Sequence, residues 1–181
     1  RRRSVWELMG KIEESPKKAR AIFDKSGLAD SIPVPPSGGL AAGEPGTEEW
    51  VLKLVWLLRT VNFTVPYAAV GEFFGQPKED SEKAVTAFAE TFDWGAADIE
   101  KALRSFLEAF LLPKEAQQID RVLRIFAHTY YRKHVEHCRS SGKEGAGYLK
   151  HPDAAYTFAF SVILLNSDQH NPKLKKRMSL K

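Results

Sequence analysis

The sequence predicts an all-α domain of about eight helices, and three observations carry that expectation. Apolar residues recur at helical spacing along most of the chain. No segment shows the period-two alternation, bounded by hairpin turns, that marks strands. The 12 glycines and 10 prolines fall mainly where a periodic stretch begins or ends.

Taken in order, Val5 to Glu14 reads as a first amphipathic helix. Ser15-Pro16 then offers an N-cap with proline at the first helical position, and Gly27 closes the second helix. Residues 28–47 hold four prolines and four glycines and read as a long loop. Thr47-Glu48-Glu49 opens the next helix with a cap and two acids at the positive dipole end. Trp50, Leu54, Leu57, Leu58 and Val61 form its apolar side. A short helix from Pro66 to Phe74 ends at Gly75, and another spans Ser81 to Phe92. Ala96 to Phe110 carries the clearest apolar stripe: Ile99, Leu103, Phe106, Leu107 and Phe110. Glu115 to about His134 follows. After a loop with Gly142, Gly145 and Gly147, Pro152 opens a last helix to about Asn166.

A chain of 181 residues can bury a core without staples, and its one cysteine, Cys138, leaves no internal disulfide. The net charge of +4 is concentrated at the ends: Arg1, Arg2 and Arg3 at one, and Lys173, Lys175, Lys176, Arg177 and Lys181 at the other. Setting those eight aside leaves 19 of the 27 basic residues against 23 acids, a body of −4. A nucleic-acid reader carries a basic face along its body, so that class is disfavoured. No apolar run reaches the roughly 18–20 residues of a membrane span, and Arg1–Arg3 lead into an amphipathic segment rather than a signal peptide.

The search for generic chemistry is thin. Gly38-Gly39 lacks the Lys-Ser/Thr of a phosphate loop. His134, His137 and Cys138 cluster near a helix end, but a fourth ligand is missing and no standard zinc spacing appears, so no metal is expected. A thiol nucleophile at Cys138 lacks an orienting carboxylate. Two stretches stand apart. Phe110-Leu111-Leu112-Pro113-Lys114-Glu115-Ala116-Gln117-Gln118-Ile119-Asp120-Arg121 puts a proline turn between two amphipathic helices, with Glu115 at the exposed start of the second. Phe160-Ser161-Val162-Ile163-Leu164-Leu165-Asn166-Ser167-Asp168-Gln169-His170-Asn171-Pro172 is a very apolar helix ending in a polar cluster before proline. By spacing alone the first is a helix-start acid and the second a buried helix with a capped end.

Together these stretches resemble the two signature motifs of the Sec-seven domain, the exchange module of Arf guanine-nucleotide exchange factors. The family patterns run roughly F-R-L-P-G-E-A-Q-x-I-D-R and A-(F/Y)-(S/A)-x-I-x-L-N-(T/S)-D-x-H-N-P. Ala69-Val70-Gly71-Glu72-Phe73-Phe74-Gly75, Leu103-Arg104-Ser105-Phe106-Leu107 and Asp153-Ala154-Ala155-Tyr156 also resemble family segments, in the family order.

The resemblance implies a single domain over 1–181: a right-handed helical superhelix with an apolar groove for the switch regions of a small GTPase. It implies GDP release driven by a glutamic finger at Glu115, without covalent chemistry. Asn171 and Asp120 match family positions at the GTPase, while Ile119, Phe160, Val162 and Leu164 fit the groove or the core equally well. No cofactor is implied, since Mg²⁺ and GDP or GTP belong to the partner. A cytoplasmic protein, peripheral at Golgi or endosomal membranes through its parent chain, is expected.

Positions tied to brefeldin A sensitivity read Phe160, Ser161, Asp168 and Met178. Three resemble the sensitive pattern and Phe160 the resistant one, so partial sensitivity is expected. Asp168-Gln169-His170 resembles the large Golgi exchangers. Leu111 stands for the family's arginine and Lys114 for its glycine, which predicts exchange that is retained but slower. The family's later helices are expected to be missing after Lys181. The alternative is a helical module that grips a GTPase or another protein without catalysing exchange.

Overall fold

The computed structural model describes residues 2–32, 48–60, 67–142, 149–170, 172 and 177–178. Among them are nine α-helices, a 3-10 turn and no strand. The order is α1 (Arg2–Glu14), the 3-10 turn (Pro16–Lys18), α2 (Ala19–Lys25), α3 (Leu28–Ser31), α4 (Glu49–Thr60), α5 (Tyr67–Phe74), α6 (Glu79–Glu90), α7 (Ile99–Leu107), α8 (Ala116–Ser140) and α9 (Pro152–His170). The helices pack as a chain of neighbours: α1 on α5, α4 and α5 on α6, α6 on α8, and α8 on both α7 and α9.

The stripes read from sequence are the ones that bury. Val5, Leu8, Met9 and Ile12 of α1 are all in the core, as are Trp50, Leu54 and Leu57 of α4, while Leu58 is half-buried against it. A run of aromatic contacts forms the centre. Phe110 meets Phe74 edge-on at 5.3 Å and Phe106 at 5.0 Å. Phe106 stacks on Phe126 at 5.4 Å, and Phe126 on Tyr130 at 6.0 Å. Such offset and edge geometries suit the ring quadrupole and add to the burial of apolar area. The series reaches from the start of the 111–115 loop deep into α8, so the loop leaves a rigid base.

Several boundaries differ from the sequence expectation, each for a tertiary reason. Leu28–Ser31, expected as loop, forms a helical turn because Leu28 and Ile32 reach the core. The rest of the expected loop, 33–47, lies outside the described residues, as do Thr47 and Val61. Ser15 makes no side-chain cap, and Pro16 opens a 3-10 turn instead of an α-helix. The stripe of α7 extends past the helix itself, because Ala97 and Phe110 pack from its flanking turns. α8 runs to Ser140, beyond His134. Lys133 Nζ donates to the Glu90 and Phe92 carbonyls at 2.6 and 2.7 Å, fastening the helix across the end of α6. It stops where Gly142 takes a positive φ of 67°.

Candidate functional site

The loop between α7 and α8 is shaped by its contacts with α5. Leu111 N–H donates to the Tyr67 carbonyl at 3.0 Å. A Cβ on Gly71 would lie 1.7 Å from the Leu111 carbonyl oxygen, so backbone meets backbone there and only glycine fits. A Cβ on Gly75 would lie 2.6 Å from Gln118 Cβ and 3.1 Å from Pro113 Cγ. Pro113 is buried and removes a donor that the packed turn has no use for.

Glu115 follows as the residue before α8, with extended backbone (φ −88°, ψ 131°). Its carbonyl accepts from Gln118 and Ile119 N–H, both at 3.0 Å, while its side chain makes no capping bond and stands exposed beside exposed Lys114. The carboxylate therefore sits at the N-terminal end of a 25-residue helix, the positive end of its dipole.

Asp120, one turn on, is engaged. Arg124 Nε donates to its Oδ2 at 2.9 Å, and the Tyr156 hydroxyl of α9 donates to its Oδ1 in a short bond. The Arg124 guanidinium lies 4.5 Å from the Tyr156 ring centre. The Arg124 hydrogen bond holds the Asp120 carboxyl below its ordinary range, and Asp120 in turn pushes the Tyr156 hydroxyl up. This brace joins the start of α8 to α9, and spacing gave no hint of it.

α9 was expected as a buried helix with a capped end, and it differs. Only Ala155 and Ala159 are fully buried; these small residues lie on the side facing the core. Tyr156, Phe160, Val162 and Ile163 are half-buried, with Phe160 stacked on Tyr156 at 5.8 Å. Phe158 is 39% exposed, and Leu164 and Leu165 are each 51% exposed. Near the loop, Tyr67 and Leu111 are also exposed. Apolar side chains thus line α9 and the base of the Glu115 loop, with Tyr156 linking the two.

Ile119 is half-buried against the core, and Leu164 is open. Ser161 is exposed two turns before Asp168. Asp168 Oδ2 accepts the Met178 N–H at 2.7 Å, and Gln169 Nε2 donates to the Met178 carbonyl at 3.3 Å, so these two sequence-distant positions meet. Asn171 lies outside the described residues. α9 continues to His170, one turn beyond Asn166.

The cluster near the end of α8 is structural. His134 Nδ1 lies 3.1 Å from the Gly95 carbonyl, its ring stacks on Tyr130 at 5.5 Å, and buried Cys138 Sγ is 3.7 Å from His134 Nε2. No group of three or more His, Cys, Asp or Glu fit to hold a metal occurs among the described residues. No helix among them is long and apolar enough to cross a membrane.

The described residues thus form an all-helical scaffold with an exposed carboxylate on a fixed loop and an α9 that leaves several large apolar side chains open. The chain matches the Sec7 domain family over residues 1–181, and it belongs to that family. It is 31% identical over 181 residues to the ADP-ribosylation factor guanine nucleotide-exchange factor SEC7 of Saccharomyces cerevisiae, covering 99% of this chain and 8% of that protein. It is 37% identical over 110 residues to the brefeldin A-inhibited guanine nucleotide-exchange protein 2 of Arabidopsis thaliana, covering 61% of this chain and 6% of that protein. The chain thus spans less than a tenth of the length of these two relatives. Among solved structures it resembles the Sec7p catalytic domain, with a TM-score of 0.65 and 27% identity over 96% of this chain and 76% of that one. The Sec7 domain bound to ARF1-GDP and brefeldin A shares the fold, with a TM-score of 0.66 and 22% identity over 98% of this chain and 76% of that one.

Proposed function

We propose that this domain catalyses GDP release from an Arf-family small GTPase, with Glu115 displacing the nucleotide. One observation carries the reading: an exposed carboxylate at a helix start, unbonded to its own helix, on a loop fixed from behind. A small GTPase holds its nucleotide through phosphate contacts, a Mg²⁺ ion and the P-loop lysine. A carboxylate entering that site repels the β-phosphate and pairs with the lysine. At about 4 Å and an effective dielectric near 20, a pair of unit charges interacts by about 4 kcal/mol. Each ~1.4 kcal/mol is a factor of ten in rate. No covalent bond changes, and Mg²⁺ and the nucleotide are ligands of the partner GTPase rather than cofactors of this chain.

The exposed apolar side chains of α9 supply the area against which the GTPase docks, with Leu164 and Phe160 on that surface and Val162 and Ile119 supporting it; Asn171 is proposed as a further GTPase contact on the motif resemblance alone. Asp120 belongs to the contact through its free lone pairs while braced by Arg124 and Tyr156. The names of the relatives support Arf proteins as the partner class and brefeldin A as an inhibitor of exchange; a peripheral Golgi or endosomal site of action is proposed on the motif resemblance alone. Phe160, Ser161, Asp168 and Met178 make the expected sensitivity to brefeldin A partial.

Release of a fluorescent GDP analogue from a panel of Arf proteins, with and without brefeldin A, tests the reading. Glu115→Lys should lower exchange by more than about 100-fold, two such factors of ten. It should leave thermal stability within about 1 kcal/mol, the scale of a helix-end charge. Normal exchange by that variant refutes the assignment. GTPase binding without release by the wild type selects the non-catalytic module instead.

A further inference from the structure

We infer that Arg121 is a positioning residue for Glu115: its fork on the Gly75 carbonyl clamps the Glu115 loop to the end of α5 and presets the direction of the carboxylate. The inference rests on the exchange function proposed above and adds the device that aims the acidic residue.

Both ends of the loop are fixed to one short stretch of α5. At the entry, Leu111 N–H meets the Tyr67 carbonyl at 3.0 Å, and its own carbonyl lies against Gly71. At the exit, Pro113 and Gln118 lie against Gly75. Arg121 closes the frame. Its Nε and Nη2 donate to the Gly75 carbonyl at 2.9 and 2.7 Å. That carbonyl sits just past the last residue of α5, where the negative end of the helix dipole attracts a guanidinium. Two donors converging on one oxygen fix orientation as well as distance, which a lysine ammonium does not reproduce.

The loop's own composition makes such a frame effective. Lys114 and Glu115 carry side chains, and between Leu111 and Ala116 there is no glycine to swivel. A loop without glycine, held at both ends, transmits its base geometry to its tip. Arg121 also lines a surface cavity of about 300 Å³ with Phe74, Gln76 and Arg124. Shortening its side chain therefore enlarges existing surface space and leaves the aromatic core alone.

The test compares wild type, Arg121→Gln and Arg121→Lys by two readouts: exchange kinetics, and amide hydrogen exchange resolved by residue. A positioning role predicts that Arg121→Gln lowers kcat about tenfold with KM for the GTPase within about twofold, because geometry is lost and docking is kept. It also predicts that Leu111 and Gln118 amides exchange at least about tenfold faster while Val122 and Leu123 keep their protection. Arg121→Lys should fall between, because a single ammonium nitrogen keeps the charge but not the two-nitrogen fork. Unchanged protection of Leu111, an unchanged kcat, or a fall in protection shared equally by Val122 and Leu123 each overturn the inference. A wild-type chain inactive on every Arf protein overturns the exchange function instead, and the Leu111 amide then decides the clamp without reference to activity.

Discussion

The loop before α8 and the second half of α9 lie on either side of the Tyr156–Asp120 contact, and they are built on opposite plans. The loop is fixed by backbone: a carbonyl against Gly71, an N–H on Tyr67, a proline packed under Gly75. α9 rests on two buried alanines and leaves Phe158, Leu164 and Leu165 open among the described residues. One region uses its contacts to hold a direction. The other keeps apolar side chains open among the described residues, and the function proposed above assigns their cover to a docked partner. The difference teaches that aim and adhesion are separable here, so each can be broken without the other.

Gly71→Ala should produce the largest effect, and it should break the fixed region. The added methyl would meet a backbone oxygen at 1.7 Å, which no side-chain rotation relieves. Overpacking against backbone costs about 3 kcal/mol, which for a domain of this size lowers the melting temperature by roughly 10 °C. A melting temperature within 2 or so degrees of wild type would mean the loop is loosely seated. Leu165→Ala should do the reverse. At 51% exposure the residue contributes little to stability, so the change in stability should stay under about 0.5 kcal/mol. Loss of its contact should raise KM for the GTPase about tenfold, near 1.4 kcal/mol, with kcat unchanged. A titration of exchange rate against GTPase concentration checks the split.

The link between the regions has a pH signature. Asp120 is held below its ordinary range by Arg124, so its contribution is full above the unfolded carboxylate range near pH 4 and is lost as pH falls through its lower folded value. Tyr156 is raised, so its contribution is full below about pH 10 and is lost as pH rises through the higher folded value. Asp120→Asn should therefore destabilise the chain by about 1 kcal/mol at pH 7, the net worth of a hydrogen-bonded pair. The gap between variant and wild type should begin to narrow below about pH 4 and close only once pH has fallen through the lower folded value. Urea unfolding at pH 7 and at a series of acid pH values measures it, and a gap that does not narrow in acid would show that the brace does not depend on the carboxylate charge.

How far all this was legible in the sequence depends on the range of the contact. The i, i+3, i+4 spacing of Val5, Leu8, Met9 and Ile12 is local, and the helix it implies is there. The two motifs placed Glu115 at a helix start, and the structure has it there. What spacing missed depends on distant partners. Gly71 read as part of a helix, and its need for no side chain arises from Leu111, 40 positions on. The length of α8 depends on carbonyls of Glu90 and Phe92 that Lys133 reaches from more than 40 residues away. α9 read as buried because its residues are apolar, yet apolarity reports what a surface would gain from cover and not whether this chain supplies it.

Lys114 offers the finest test of the contrast, because it alters charge and stiffness at one exposed position. Its ammonium next to Glu115 draws on the carboxylate that the GTPase site has to receive. Both side chains are solvated, so the attraction is weak and screened by salt. Lys114→Ala removes the charge and keeps a backbone that glycine would loosen. Exchange should rise about twofold at low ionic strength, and the gain should vanish in roughly 0.5 M salt, where the screening length is only a few ångströms. Lys114→Gly removes the same charge but adds backbone freedom costing about 0.5–1 kcal/mol to restrict. Its rate should therefore fall below that of the alanine variant by a factor of about two to five, the reverse of the slower exchange that the motif resemblance implies for lysine in place of glycine. If the glycine variant were instead the faster of the two, slack at the tip would be useful and a preset direction would not be the basis of the loop's action.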